Sequence, residues 1–207
     1  MAGPSANETF AAERFKSLRE LLGKRPRIVL VVAPYYKDVT DMLVAGATEV
    51  LSVADPEITR FDVPGALELP QALRLCVEGN LGNTMIDLEE ELDAAEDDEE
   101  LDIMDALGSA QHALFDGAIA IGCVIRGETS HYDVVVNEAN AGLYHVTRDP
   151  GIVLGNALLT VDTYEQAVAR AKGGAEGKGG DAARAVLQLI KIGAEINARG
   201  PGGSRLL

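Results

Sequence analysis

The chain has no tryptophan, two cysteines, four phenylalanines and five tyrosines among its 207 residues. Cys76 and Cys123 both sit among aliphatic residues, and the stretch MAGPSANETFAAERFKSLRE has neither the basic start nor the apolar run of a secretory leader. The two thiols are therefore expected to be reduced and buried, behaving as small hydrophobes, not as a disulfide or a metal pair. No apolar run approaches the roughly 20 residues that cross a bilayer, so no membrane association is expected, and the cytoplasm is the expected compartment. A basic surplus is also missing. The net charge is −15, which excludes the positive footprint of a nucleic-acid binder.

That acidity is local. Thirteen of the 33 acidic residues fall within residues 78–114, which hold no lysine or arginine, so the remaining positions carry 20 acids and 18 bases, a charge of −2. The main body is nearly neutral, and one segment carries the excess. Runs of like charge repel, so the segment reads either as a charged amphipathic helix or as a mobile excursion, with its break around Glu96 to Glu100.

Apart from that segment, apolar runs alternate with amphipathic ones. RIVLVVA (27–33), EITRFDVPG (57–65), GAIAIGCVI (117–125) and GIVLGNALLTV (151–161) read as strands. Between and after them, helical spacing appears in VTDMLVAGATEVL, ALELPQALRLCVE, HYDVVVNEANAGLYHV, TYEQAVARA and GGDAARAVLQLIKIGAEINA, with an earlier helical piece at Phe10 to Leu22. Continuous rather than alternating apolar strands predict an α/β parallel sheet covered on both faces. The expected organisation is an N-terminal extension (1–26), one domain (27–198) interrupted by the acidic insertion (79–113), and a flexible tail (199–207).

Ligands of such sheets bind beyond the carboxyl ends of the strands. Four junctions are therefore expected to supply a site: PYYKD, VPGALE, RGETSH and LLTVDT. In the third, Gly127 permits a tight turn, and the amides of Glu128 and Thr129 would open a helix N-terminus suited to an anion. Ordinary capping by Thr129 or Ser130 explains the same residues equally well. His131 is the one histidine of three at a predicted strand end, since His112 belongs to the insertion and His145 lies deep in a helix. It suits proton transfer, although a solvated histidine is the commoner finding. Arg170 could clamp a phosphate or form a surface ion pair. Lys178 lies at the other side of the same glycine-rich exit. Glu68 could accept from ligand N–H or hydroxyl groups or simply favour a helix dipole. Tyr35 and Tyr36 could stack on a planar ligand or pack on a neighbouring copy. KGGAEGKGGD follows a helix and lacks the order of a triphosphate-binding loop. No spacing suggests a metal site.

VPGALELP (63–70), GCVIRGETSHYDVVVNEA (122–139) and LTVDTYEQAVARA (159–171) resemble the 6,7-dimethyl-8-ribityllumazine synthase family of riboflavin biosynthesis, in order and spacing, from residue 27 to about 195. The resemblance implies a three-layer flavodoxin-like sandwich with a four-stranded parallel sheet flanked by helices. It implies condensation of 5-amino-6-(D-ribitylamino)uracil with 3,4-dihydroxy-2-butanone 4-phosphate, releasing phosphate and water, with no metal or organic cofactor. A homopentamer or a multiple of pentamers is implied, with sites shared between adjacent subunits and riboflavin synthase as a candidate partner.

Position by position, the resemblance makes His131 the catalytic proton donor, Arg170 the phosphate contact and Glu128–Thr129 the backbone phosphate site. It puts Tyr35 against the pyrimidine, Ala66, Leu67, Glu68, Cys123, Val124 and Ile125 against the ribityl chain and uracil, Asn156 at a further pyrimidine contact, and Lys178 near the substrate. Three departures stand out. Tyr36 replaces a frequent asparagine, Asn156 replaces a frequent phenylalanine, and the insertion adds roughly 33 residues to the usual connection. The first two leave a second reading open, a catalytically weak paralogue that binds flavin or lumazine.

Overall fold

Four apolar segments become one parallel sheet, ordered β2-β1-β3-β4: β1 (Arg27–Val32), β2 (Glu57–Asp62), β3 (Gly117–Ile125) and β4 (Val153–Val161). The computed structural model describes residues 12–94, 114–148 and 152–198. Within β1 the side chains divide by parity, as a pleated strand requires. Ile28, Leu30 and Val32 enter one core with α1 (Leu18–Leu22), α2 (Lys37–Leu51), α5 (Tyr164–Ala171) and α6 (Lys178–Asn197). Val29 and Val31 enter the other with α3 (Leu69–Ala94) and α4 (His131–Val146). The result is the flavodoxin-like three-layer sandwich. With this strand order, the crevice at the chain's reversal opens between the carboxyl ends of β1 and β3.

Several expectations change. The N-terminal helical piece splits into a 3-10 turn at Ala12–Phe15 and the short α1, and residues before 12 lie outside the described set. β1 stops at Val32, short of Pro34, and β2 stops at Asp62, where Pro64 and Gly65 turn the chain away. A sheet covered on both faces holds for β1 and β3 but not for β2, all six residues of which are exposed at the sheet's edge. The helix expected over residues 66–78 opens as a 3-10 turn at Ala66–Glu68 and continues as α3 to Ala94, well into the acidic segment. Pro70 is tolerated there because the first-turn amides of a helix have no intrahelical acceptor. The expected break at Glu96 to Glu100, His112 and the tail 199–207 lie outside the described residues.

The glycine-rich exit of α5 is a packing device. A Cβ on Gly179 would lie 2.7 Å from the Leu43 carbonyl carbon, and one on Gly46 would lie 3.0 Å from the Gly174 carbonyl carbon. Absent side chains let the start of α6 and the turn Gly174–Glu176 rest directly on the α2 backbone. Buried Arg184 fixes that turn, donating to the Ala175 carbonyl at 2.7 Å and to Glu176 Oε1 at 3.1 Å, while the Ala175 amide donates to Glu49 Oε2 at 2.9 Å.

Candidate active site

β3 outruns β1. Its pairing with β1 ends at Val32↔Ile121, after which only the Ala33 amide reaches back, to the Ile121 carbonyl at 2.8 Å. On its other side β3 stays paired with β4 as far as Ile125↔Val161. Residues 123–125 therefore present one backbone edge with no strand partner among the described residues, and that edge borders a pocket of about 520 Å³. This is an ordinary volume for a small-molecule site.

Three loops complete the wall. From the exit of β1 come Tyr35 and Tyr36, in edge-to-face contact with ring centroids 5.1 Å apart. Tyr35 is 76% exposed, so its ring faces remain open to a planar partner. From the exit of β2 come Pro64, Gly65, Ala66, Leu67 and Glu68. The Glu68 carboxylate folds back over Gly65, where a Cβ would lie 3.1 Å from Glu68 Oε2. From the exit of β3 come Gly127, Thr129, His131, Tyr132 and Val135.

Of the residues singled out by sequence, Tyr35, Ala66, Leu67, Glu68, Cys123, Val124, Ile125, Thr129 and His131 line this one pocket. Glu128 lies in the same turn but does not line it. Asn156, Arg170 and Lys178 lie elsewhere on the chain. Asn156 sits mid-strand on β4, in register with Ala120, donates to Asn140 Oδ1 at 3.0 Å, and borders a separate apolar groove between β4, α4 and α6. Arg170 is exposed on α5, and its guanidinium donates to the Gln166 carbonyl at 3.3 Å, with no carboxylate partner among the described residues. Lys178 pairs with Asp181 at 2.8 Å. Three of the four expected junctions thus supply the pocket, and the β4 exit does not. Tyr36, Gly127 and the Pro64–Gly65 turn, noted at the expected junctions, line it too, whereas Tyr132 and Val135 join the wall without having been chosen from sequence. Val135 was recoverable, because it stands four residues after His131 on one helix face.

Capping does not explain the start of α4. Ser130 takes the cap position without a side-chain bond to any amide. Its carbonyl accepts from the Asp133 amide at 3.0 Å, and no acceptor for the amides of Thr129, Ser130 or His131 is found among the described residues. Uncommitted amides at a helix N-terminus favour an anion. In contrast, Thr163 caps α5, accepting from the Gln166 amide at 3.3 Å, and Gln166 Oε1 returns the favour to the Asp162 amide at 2.9 Å.

The titratable groups near the β1 exit are held away from proton exchange. Burial pushes the Cys123 thiol up to about 11, with Asp38 adding to the effect. Burial also raises the Tyr36 phenol, with smaller contributions from Tyr35 and Cys123. The Tyr164 hydroxyl donates to Asp38, which lowers that carboxyl and raises the phenol. Cys76 is raised by burial as well. Because the thiolate is the reactive form, a thiol at about 11 is ionised to about one part in a thousand at pH 8. Iodoacetamide at pH 8 is therefore expected to leave both cysteines of the folded protein unmodified and to alkylate both in denaturant. Rapid labelling of Cys123 in the native protein, read by mass spectrometry, would contradict its buried placement.

Among the described residues, no cluster of three His, Cys, Asp or Glu is arranged to hold a metal ion, and no helix is long and apolar enough to cross a membrane. The family profile described as 6,7-dimethyl-8-ribityllumazine synthase matches residues 25–88 and 101–193, leaving a gap within the acidic segment. Curated relatives carry the same description. One from Methylorubrum populi is 37% identical over 181 residues, covering 87% of this chain and 90% of its own. One from Beijerinckia indica is 37% identical over 170 residues, covering 82% of this chain and 77% of its own. A third, 6,7-dimethyl-8-ribityllumazine synthase 1 of Rhodopseudomonas palustris, is 38% identical over 166 residues, covering 80% of this chain and 85% of its own. With the match running through every strand of the sheet, the chain belongs to the 6,7-dimethyl-8-ribityllumazine synthase family.

Proposed function

We propose that this chain condenses 5-amino-6-(D-ribitylamino)uracil with 3,4-dihydroxy-2-butanone 4-phosphate to give 6,7-dimethyl-8-ribityllumazine. The observation that carries this reading is the meeting of an unpaired β3 edge, an exposed tyrosine ring and His131 in one pocket. A planar uracil lies against Tyr35 and hydrogen-bonds the 123–125 edge. Glu68 accepts from the ribityl hydroxyls or a ligand N–H. The phosphorylated ketone sits with its phosphate at the Thr129 hydroxyl and the uncapped amides of the turn.

The chemistry asks little of the protein. The substrate amine attacks the ketone, and loss of water gives an imine. Loss of a proton from carbon then expels phosphate, and attack by the second amine closes the ring with loss of another water. Each step moves a proton, and His131 is the pocket group whose type exchanges protons most readily near neutral pH. The nucleophile comes with the substrate, so much of the rate enhancement comes from holding two reactants in register.

Arg170 and Asn156 enter through a second copy of the chain. Both lie off the pocket of their own chain, and Arg170 has no carboxylate partner among the described residues, which leaves its charge available to a phosphate at a neighbour's site. The apolar groove beside Asn156, with Tyr144 70% exposed and Leu189 43% exposed, supports burial of that flank against another copy. A pentamer or a multiple of it is the assembly in this reading.

Incubation with both substrates is expected to yield the fluorescent lumazine. A rate equal to the uncatalysed background, with tight riboflavin binding, would instead support the binding paralogue. Coexpression tests the shared site. Chains carrying His131→Ala and chains carrying Arg170→Gln are each expected to be impaired, and mixed assemblies are expected to regain activity where an intact His131 meets an intact Arg170. No recovery in mixed oligomers of normal size would overturn the shared arrangement.

A further inference from the structure

The polypeptide leaves β3 at Arg126 and enters α4 at His131, and the four residues between them carry neither a side-chain cap nor burial. Yet this turn presents Thr129 and His131 to the pocket. Something else must hold it. The Arg126 backbone is still pinned to the sheet, its amide donating to the Val161 carbonyl at 2.9 Å. Its side chain folds forward over the turn. The guanidinium carbon stands 4.0 Å above the Tyr132 ring centroid, Nη1 is 3.3 Å from Asp133 Oδ1, and Nε donates to Asp162 Oδ1 at 3.0 Å. One planar cation therefore grips both residues that follow His131 and the loop after β4.

We propose that Arg126 is a positioning residue for His131, clasping the turn in place of the missing helix cap and leaving the turn's amides and hydroxyls free for the ligand. The geometry suits arginine in particular. A guanidinium can stack on a ring while two of its edges reach separate carboxylates, whereas an ammonium is a point charge on a flexible stem. Tyr132 lines the pocket through the same contact, so the clasp also sets one wall. The two carboxylates are exposed, and exposed ion pairs add little to stability. An effect on turnover would therefore come from where His131 is held, since a displacement of about 1 Å can cost as much as about 10²-fold in rate.

This inference rests on the proposed synthase reading, and the test separates the two. Arg126→Met keeps the aliphatic stem and removes the fork. It is expected to lower kcat about 10-fold and to raise KM for the phosphorylated ketone more than KM for the uracil, with little change in melting temperature. Arg126→Lys is expected to recover part of kcat, and Asp162→Asn to lower it in the same direction by less. Hydrogen exchange followed by mass spectrometry supplies a readout independent of turnover: the amides of Arg126, Asp133 and Val134, bonded to the Val161 and Ser130 carbonyls, should exchange faster in Arg126→Met while α6 is unchanged. An inactive wild type with the exchange change intact would sink the synthase reading and spare the clasp. An active wild type matched by Arg126→Met within twofold in kcat would overturn the inference, as would equal losses in the Met and Lys variants or unchanged exchange at Arg126, Asp133 and Val134.

Discussion

His131→Ala is expected to lower kcat about 10²-fold, toward the lower end of what positioned acid–base groups contribute, with both KM values little changed. The pocket offers few substitutes. The Cys123 thiol is held up at about 11, and burial raises the Tyr36 phenol, so neither exchanges protons readily at neutral pH. Glu68 lies at the far loop, folded over Gly65. A residual rate should survive, because the substrate's own amine attacks and the pocket still aligns both reactants. His131 is exposed, so the variant should fold normally. Steady-state kinetics on the purified assembly checks this, and a kcat within twofold of wild type would remove His131 from the proton path.

The second large effect concerns stability. Gly179→Ala would drive a methyl group into the Leu43 carbonyl, against backbone on both sides, so no rotamer change can relieve the clash. Overpacking of this kind costs about 3 kcal/mol, which for a domain of this size lowers the melting temperature by about 6–12 °C. An internal control lies on the same helix. Gly193 is exposed with nothing near its absent Cβ, so Gly193→Ala should raise stability by about 0.5–1 kcal/mol through helix propensity. Differential scanning calorimetry of the two variants should move in opposite directions. Equal tolerance of alanine at both positions would refute the close contact of α2 and α6.

The order of elements was legible because β1, β3 and β4 are dominated by β-branched or aliphatic residues, each followed by a helical period. Boundaries slipped where a turn decides them. Pro64 and Gly65 end β2 three residues early, and Leu69 rather than Ala66 opens the α-helical register. The pocket-lining residues next to strand ends were also legible, since sheet topology alone puts them there. Two features were hidden. The start of α4 read equally as a capped helix or an anion site, because Thr129 and Ser130 are the residue types that cap, whereas the clasp depends on Asp162, 36 residues away from Arg126. The separation of Asn156 and Arg170 from His131 could not be read from spacing either. The resemblance places all three at one site shared between adjacent subunits, and the fold shows which of them, Asn156 and Arg170, lie off the pocket of their own chain. KGGAEGKGG illustrates a third limit: its order argued only against a triphosphate-binding loop, and close backbone packing at Gly179 and Gly180 is what uses its glycines.

β2 leaves a last consequence. Its outer rim has hydrogen-bonding groups with no strand beside them among the described residues, and Ile58 and Phe61 stand 39% and 46% exposed along it. Such a rim is a template for indiscriminate sticking. In the proposed assembly, the time newly made chains spend with this rim uncovered would set how much material is lost to clumping.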